Sequence, residues 1–209
     1  MFGLPRAAVA GLCAAVLTSA CASAPPRVSG SATQPIPDSH YRFTDADVDF
    51  MSGMIPHHAQ AIVMGGWCAS HGARKDLTIL CERMVVGQRD EIALMQQWLR
   101  DRGLPVPDAT STRHRHKMPN GVEHDMLMPG MLTDEEMAAL DRARGTEFDR
   151  LFLLGMIKHH QGAIDMVDVL AKSPGAMQDD TIFKFANDVQ VDQEIEINVM
   201  KEMLEEIKL

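Results

Sequence analysis

The chain has 209 residues, enough for one domain plus appendages. Its 20 Lys and Arg stand against 29 Asp and Glu, and a net charge of −9 excludes a nucleic-acid face, which needs clustered basic residues. Aromatics are 5 % and no stretch alternates with period two, so the class is all-α.

Residues 1–20 read as an export signal peptide. Arg6 supplies positive charge, and Ala7 to Leu17 form an apolar stretch too short to span a bilayer. Leu17-Thr18-Ser19-Ala20-Cys21 follows and resembles a lipoprotein cleavage box with Cys21 as the lipidated residue, although Thr18 stands where such boxes carry an aliphatic. Simple secretion with a different cut is the alternative. Residues 21–40, rich in Ser, Pro and Ala, read as a flexible tether to a domain over 41–209.

Thr44 and Thr146 both look like helix N-caps, with acidic residues in the following turn. The first helix is predicted from about Thr44 to Ser70. The second runs from about Lys75 to Arg102 and is stopped by Gly103 and Pro105. A long linker covers 103–132. Thr133-Asp134-Glu135-Glu136 is a capping box opening a short helix that breaks near Gly145. The third long helix starts at Thr146 and ends before Ser173-Pro174-Gly175; the fourth runs from about Asp179 onward. Cys68 and Cys81 lie near the end of the first long helix and the start of the second. In an oxidising compartment they would staple that hairpin with a disulfide. Thiolate ligation beside His71 is the competing reading, disfavoured because the second repeat carries Leu170 at the place of Cys68.

The chain is internally duplicated. Thr44 to Met64 returns 102 positions later as Thr146 to Met166, with 11 of 21 positions identical. Gln88-x-x-Glu91-Ile92-x-x-Met95 returns as Gln193-x-x-Glu196-Ile197-x-x-Met200, at an offset of 105. Each copy is a helical hairpin, over 44–102 and 133–209, and two hairpins predict a four-helix bundle.

Duplication preserved more than a core pattern: it kept a His pair, an Asp and two Met. At 100° per residue, Asp47, Phe50, Met51, His57, His58, Ala61 and Met64 all fall within about 80° of Met54, on one apolar stripe. Glu91 sits in the middle of the second helix's apolar stripe. A buried ionised carboxylate must be paired or bound to a cation. Imidazole, thioether and carboxylate on inward faces are metal-ligand chemistry. The candidate ligands are His58 and His160 first, then His57 and His159, with Met54, Met156, Met64, Met166, Glu91, Glu196, Asp47 and Asp149. Core histidines satisfied by Glu91 and Glu196 are the competing reading. Asp47 and Asp149 compete with a capping role, each being three residues after its Thr. Met84, Met95, Met200 and Met203 read as packing.

The linker carries a second concentration of ligands. His114, His116, Met118, His124, Met126, Met128 and Met131 crowd into 18 residues. Such tracts gather copper, thioether favouring Cu(I) and imidazole accepting Cu(I) or Cu(II). A strap whose Met side chains cover the bundle end is the alternative.

Met54-Ile55-Pro56-His57-His58, Met128-Pro129-Gly130-Met131-Leu132-Thr133 and Gly155-Met156-Ile157-Lys158-His159-His160 resemble the DUF305 family, and the resemblance covers residues 40–208. Gln60 stands where the family usually has Gly, and Ala59 where it has Gln. The resemblance implies a ferritin-like four-helix bundle, export to the cell envelope or periplasm, and a copper role for the matching His and Met. The expected function is copper sequestration or transfer, with metal ions as partners, a lipid anchor holding the protein at the membrane, and no nucleic acid. Another transition metal, a homo-oligomer and a copper-handling protein partner all stay open. A ferritin-like dinuclear oxidase is an alternative, but it wants Glu-x-x-His, absent from the first and third long helices. A metal-free interaction module is the other. No nucleophile triad, phosphate loop or dinucleotide fingerprint marks an enzyme.

Overall fold

The computed structural model describes residues 42–117 and 123–207. Four long helices carry the fold: α1 (Asp45–Trp67), α2 (Lys75–Asp101), α4 (Thr146–Lys172) and α5 (Asp180–Ile207). Between the hairpins lie two short strands, β1 (His114–Lys117) and β2 (Glu123–Met126), and the short helix α3 (Asp134–Arg142). The four-helix expectation from the duplication holds. α1 packs on α2, α4 packs on α5, and α1 crosses α4. None of the described helices is long and apolar enough to cross a membrane.

Local chemistry sets the helix ends. Thr44 caps α1 through a complete capping box with Asp47, and Thr133 caps α3 through one with Glu136. Thr146 departs from expectation. The cap position of α4 is Gly145, with φ +56°, and Thr146 is already helical. Asp149 is buried and accepts the backbone N–H of Arg74 at 3.2 Å instead, and no box closes. Cys68 and Cys81 form a disulfide, with Cα atoms 6.5 Å apart. Closing a loop of this length is worth about 3 kcal/mol by the chain-entropy model.

The linker holds one element the sequence did not announce. β1 and β2 pair antiparallel, with His114 opposite Met126 and His116 opposite His124.

The core divides along the bundle axis. One cluster gathers Phe50, Met51, Met54, Met95, Trp98, Met166 and Phe185. The other gathers Met64, Leu77, Met84, Phe148, Phe152, Met156 and Met200. Close to where each long helix passes from one cluster to the other it carries polar residues on its inward face: His57, His58 and Gln60; Gln88 and Glu91; His159 and His160; Gln193 and Glu196. A polar belt therefore crosses the middle of an apolar bundle, repeated on both hairpins.

Candidate metal centre

All four imidazoles of the belt are fully buried. His58 Nε2 meets Glu91 Oε2 at 2.6 Å, and His160 Nε2 meets Glu196 Oε2 at 2.7 Å. His57 Nε2 donates to the Pro129 carbonyl at 3.0 Å, and His159 Nε2 donates to the His57 carbonyl at 3.0 Å. The rings of His57 and His159 lie against each other, with centroids 3.7 Å apart. Each ring is thus fixed through Nε2. On the other side each has the same deficit: Nδ1 of His57, His58, His159 and His160 is buried without a hydrogen-bond partner. In a neutral imidazole whose Nε2 donates, Nδ1 carries a lone pair. Leaving one such atom dry costs about 1–3 kcal/mol.

Electrostatics keeps the central pair neutral. Burial, and then His58, push the His57 pKa down to about 3. Burial and the neighbouring His57 hold His159 well below the ordinary histidine value. Neutral imidazole is the form that ligates metals.

The carboxylates lie at the edge of the belt. Glu91 and Glu196 are about a quarter exposed and line a cleft between α2 and α5. Asp192 lines it too, its pKa raised by burial and then by Glu91 and Glu196.

The thioethers divide between the two cores. Met54 and Met166 pack in one, Met64 and Met156 in the other. Asp47 and Asp149 are occupied elsewhere. Asp47 accepts from Thr44 and from the Met177 backbone at 2.9 Å, and Asp149 from Arg74. Both tie one hairpin's end to the other hairpin's loop. His71 is likewise satisfied, by Ser70 and Asp141.

In the linker, Met131 is buried and its sulfur accepts the Met128 N–H. Met128 lies over Gly53 beside Met166. His114 and Met126 are paired strand residues. His116 and His124 are described as backbone partners only, and Met118 and Cys21 lie outside the described residues. Among the described residues, no three His, Cys, Asp or Glu side chains stand close enough to share one ion.

Sequence reasoning missed the strap 128–132 as a partner of the belt. Gly130, at φ +76°, packs so tightly on α4 that a Cβ there would meet the Lys158 carbonyl at 2.5 Å. The absence of a side chain at Gly162 lets the Pro129 carbonyl in to reach His57. Gln60 fixes the strap's other end, donating to the Leu132 carbonyl at 2.9 Å and accepting its N–H at 2.8 Å. Gln60 and Gly162 occupy the same repeat position, so the duplication supplied the bolt on one side and the gap on the other. Gln88 and Gln193 were visible as part of the repeat but carried no assigned role.

The family model described as "Domain of unknown function (DUF305)" matches residues 47–204. The chain belongs to the DUF305 family. Solved DUF305 structures share its fold. A protein from Streptomyces coelicolor, described as secreted, is 26 % identical with a TM-score of 0.64, covering 78 % of this chain and 94 % of its own. A DUF305 fragment from Deinococcus radiodurans is 26 % identical with a TM-score of 0.62, covering 78 % and 98 %. CopM in its Cu(I)-bound form is 26 % identical with a TM-score of 0.58, covering 79 % and 98 %. CopM has also been solved with Cu(II), with silver and in the apo form. No curated protein sequence matches the chain closely enough to count as a relative.

Proposed function

We propose that this DUF305 protein binds copper in the cell envelope and sequesters it or hands it on. The observation that carries the reading is the set of four buried imidazole Nδ1 atoms, each without a partner on a ring already fixed through Nε2. That is the arrangement of a metal-ligating histidine, with the outer nitrogen held by a carboxylate or carbonyl. His58 and His160 are the leading ligands, because a carboxylate on Nε2 raises the basicity of Nδ1. Glu91 and Glu196 act as orienting partners. Buried thioethers on both sides of the belt, Met54, Met64, Met156 and Met166, suit Cu(I). Similarity to CopM, whose solved forms carry Cu(I), Cu(II) and silver, supports the same cargo. The reading of residues 1–20 as an export signal, and similarity to a protein described as secreted, support a place in the envelope, and the cleavage-box resemblance ending at Cys21 supports that residue as the anchor.

The test is an anaerobic Cu(I) titration against a chromophoric chelator, with elemental analysis of the product. Wild type should hold copper stoichiometrically, and a His58→Ala, His160→Ala double variant should lose it. Equal stoichiometry in the two proteins would remove these residues as ligands.

A further inference from the structure

The strap 128–132 meets the two hairpins unequally. Gly53 of α1 and Gly155 of α4 occupy the same repeat position. A Cβ on Gly53 would lie 2.5 Å from Met128 Cε, 3.3 Å from Met128 Sδ and 3.6 Å from Met166 Cε. Two thioether side chains, one from the strap and one from α4, thus converge over a residue that has no side chain. A Cβ on Gly155 would lie 3.1 Å from Leu132 Cδ2 and 3.5 Å from Met64 Cε. Met64 and Met166 are repeat equivalents, so the strap offers sulfur at one end and hydrocarbon at the other. Leu132 shows that packing against such a Met does not itself require a thioether.

Access differs in the same sense. At the Leu132 end the strap is bolted by Gln60, and Leu132 and Met64 are buried. At the Met128 end lies a mainly apolar cleft of about 340 Å³ between the first turns of α1, the last turns of α4 and the strap. Met128, Pro129 and Met166 line it, together with the exposed carboxylate of Asp49. Pro129 also borders the belt, because its carbonyl holds His57 Nε2 at 3.0 Å.

We propose that this cleft captures Cu(I) on the thioethers of Met128 and Met166 and passes it to the belt beside Pro129. Thioether is a soft ligand that selects Cu(I). Asp49, on a chain of net charge −9, favours a cation at the mouth. Met128 and Pro129 are consecutive, so drawing Met128 toward an ion pulls on the carbonyl that holds His57. The destination of the ion rests on the copper reading above; the capture step does not, and the two are tested apart.

Full-length protein, isotope-labelled at the methionine methyls, is titrated anaerobically with Cu(I) and followed by NMR. The background is His58→Ala with His160→Ala, which removes the leading belt ligands. The Met128 and Met166 methyl signals should shift together, while those of Met84 and Met200, in the other core, stay in place. Met128→Leu keeps the side-chain volume and removes one sulfur. In the same background it should abolish the shift at Met166. In otherwise wild-type protein, Met128→Leu should slow the stopped-flow transfer of Cu(I) from a chromophoric chelator tenfold or more. Leu132→Met, at the bolted end, should leave that rate at the wild-type value. Unshifted methyls overturn the capture site whatever the belt binds, as does an unchanged transfer rate in Met128→Leu. Shifted methyls together with equal copper stoichiometry in wild type and the histidine variant refute only the belt as destination.

Discussion

Alanine at Gly162 tests whether the strap holds the belt in place. A Cβ at this position would lie well inside contact with the Pro129 carbonyl and 2.6 Å from the Gly130 Cα, both backbone. Ordinary contact begins at about 3.4 Å, so the strap must retreat by at least 3.4 − 2.6 = 0.8 Å. That breaks the 3.0 Å bond from His57 to Pro129 and pulls on both bonds between Gln60 and Leu132. A buried donor left unpaired costs about 1–3 kcal/mol, and the strained pair about 1 kcal/mol more. Helix propensity gives back roughly 0.5–1 kcal/mol for Gly→Ala. The net is a loss of about 1–3.5 kcal/mol. At roughly 2–4 °C per kcal/mol for a domain of this size, the melting temperature falls by about 2–14 °C. Two controls sharpen the comparison. Gly53→Ala meets only the flexible ends of Met128 and Met166, and should stay within about 1 kcal/mol of wild type. Gly66→Ala meets nothing and should stabilise by about 0.5–1 kcal/mol. Thermal melts by circular dichroism of the metal-free protein give the answer. If Gly162→Ala melts with wild type, or no lower than Gly53→Ala, the strap does not brace His57.

Further outcomes follow from the same contacts. Replacing Cys68 and Cys81 by Ala, or reducing them, should cost about 3 kcal/mol in denaturant unfolding; an unchanged midpoint would mean the loop is already restrained when unfolded. For the pH dependence of metal-free protein, His57 has a folded pKa near 3, below the ordinary 6.5, and His159 is shifted the same way. Between pH 6.5 and about 3 the unfolded chain therefore binds protons that the native state refuses. Stability should fall as pH drops through that window, at about 1.4 kcal/mol per pH unit for each such histidine. Equal unfolding free energies at pH 7 and pH 5 would contradict this. Glu91→Gln with Glu196→Gln keeps the shape but weakens the orienting partners, and should reduce copper affinity about 10- to 100-fold in a competition titration. Retained wild-type affinity would remove the carboxylates as orienting partners.

The helices and their inward faces were legible because both rest on short-range periodicity. α2 begins at Lys75 as expected, the Thr44 and Thr133 boxes close, and His57, His58, His159 and His160 are all inside. What stayed hidden depended on partners far along the chain. The bonds from His57 to Pro129 and from Gln60 to Leu132 each span 72 residues, and a backbone carbonyl acceptor leaves no mark in sequence. The β1–β2 hairpin was hidden for a different reason. Its eight paired residues are almost all polar, so no alternating apolar pattern betrays them. Asp149 illustrates ambiguity within a real signal. Its spacing from Thr146 fits a capping box, but the loop of the other hairpin offers Arg74 N–H, and that bond prevails.

Duplication explains why so costly a belt occurs twice. Asp47 reaches from the first hairpin to Met177, a non-glycine residue at φ +58°, and Asp149 reaches from the second to Arg74. These reciprocal ties lock the hairpins in one register, which brings His57 against His159. Fixed register turns two copies of a His pair into one four-imidazole layer, which neither hairpin could enclose alone. The strap then breaks the symmetry. His57 leans on the Pro129 carbonyl of the linker, whereas His159 leans on the backbone of α1 itself. Movement of 128–132 therefore acts on His57 through a direct hydrogen bond, and on His159 through the His57 ring and the α4 backbone. The two central histidines, identical by descent, are unequal in how firmly they are held.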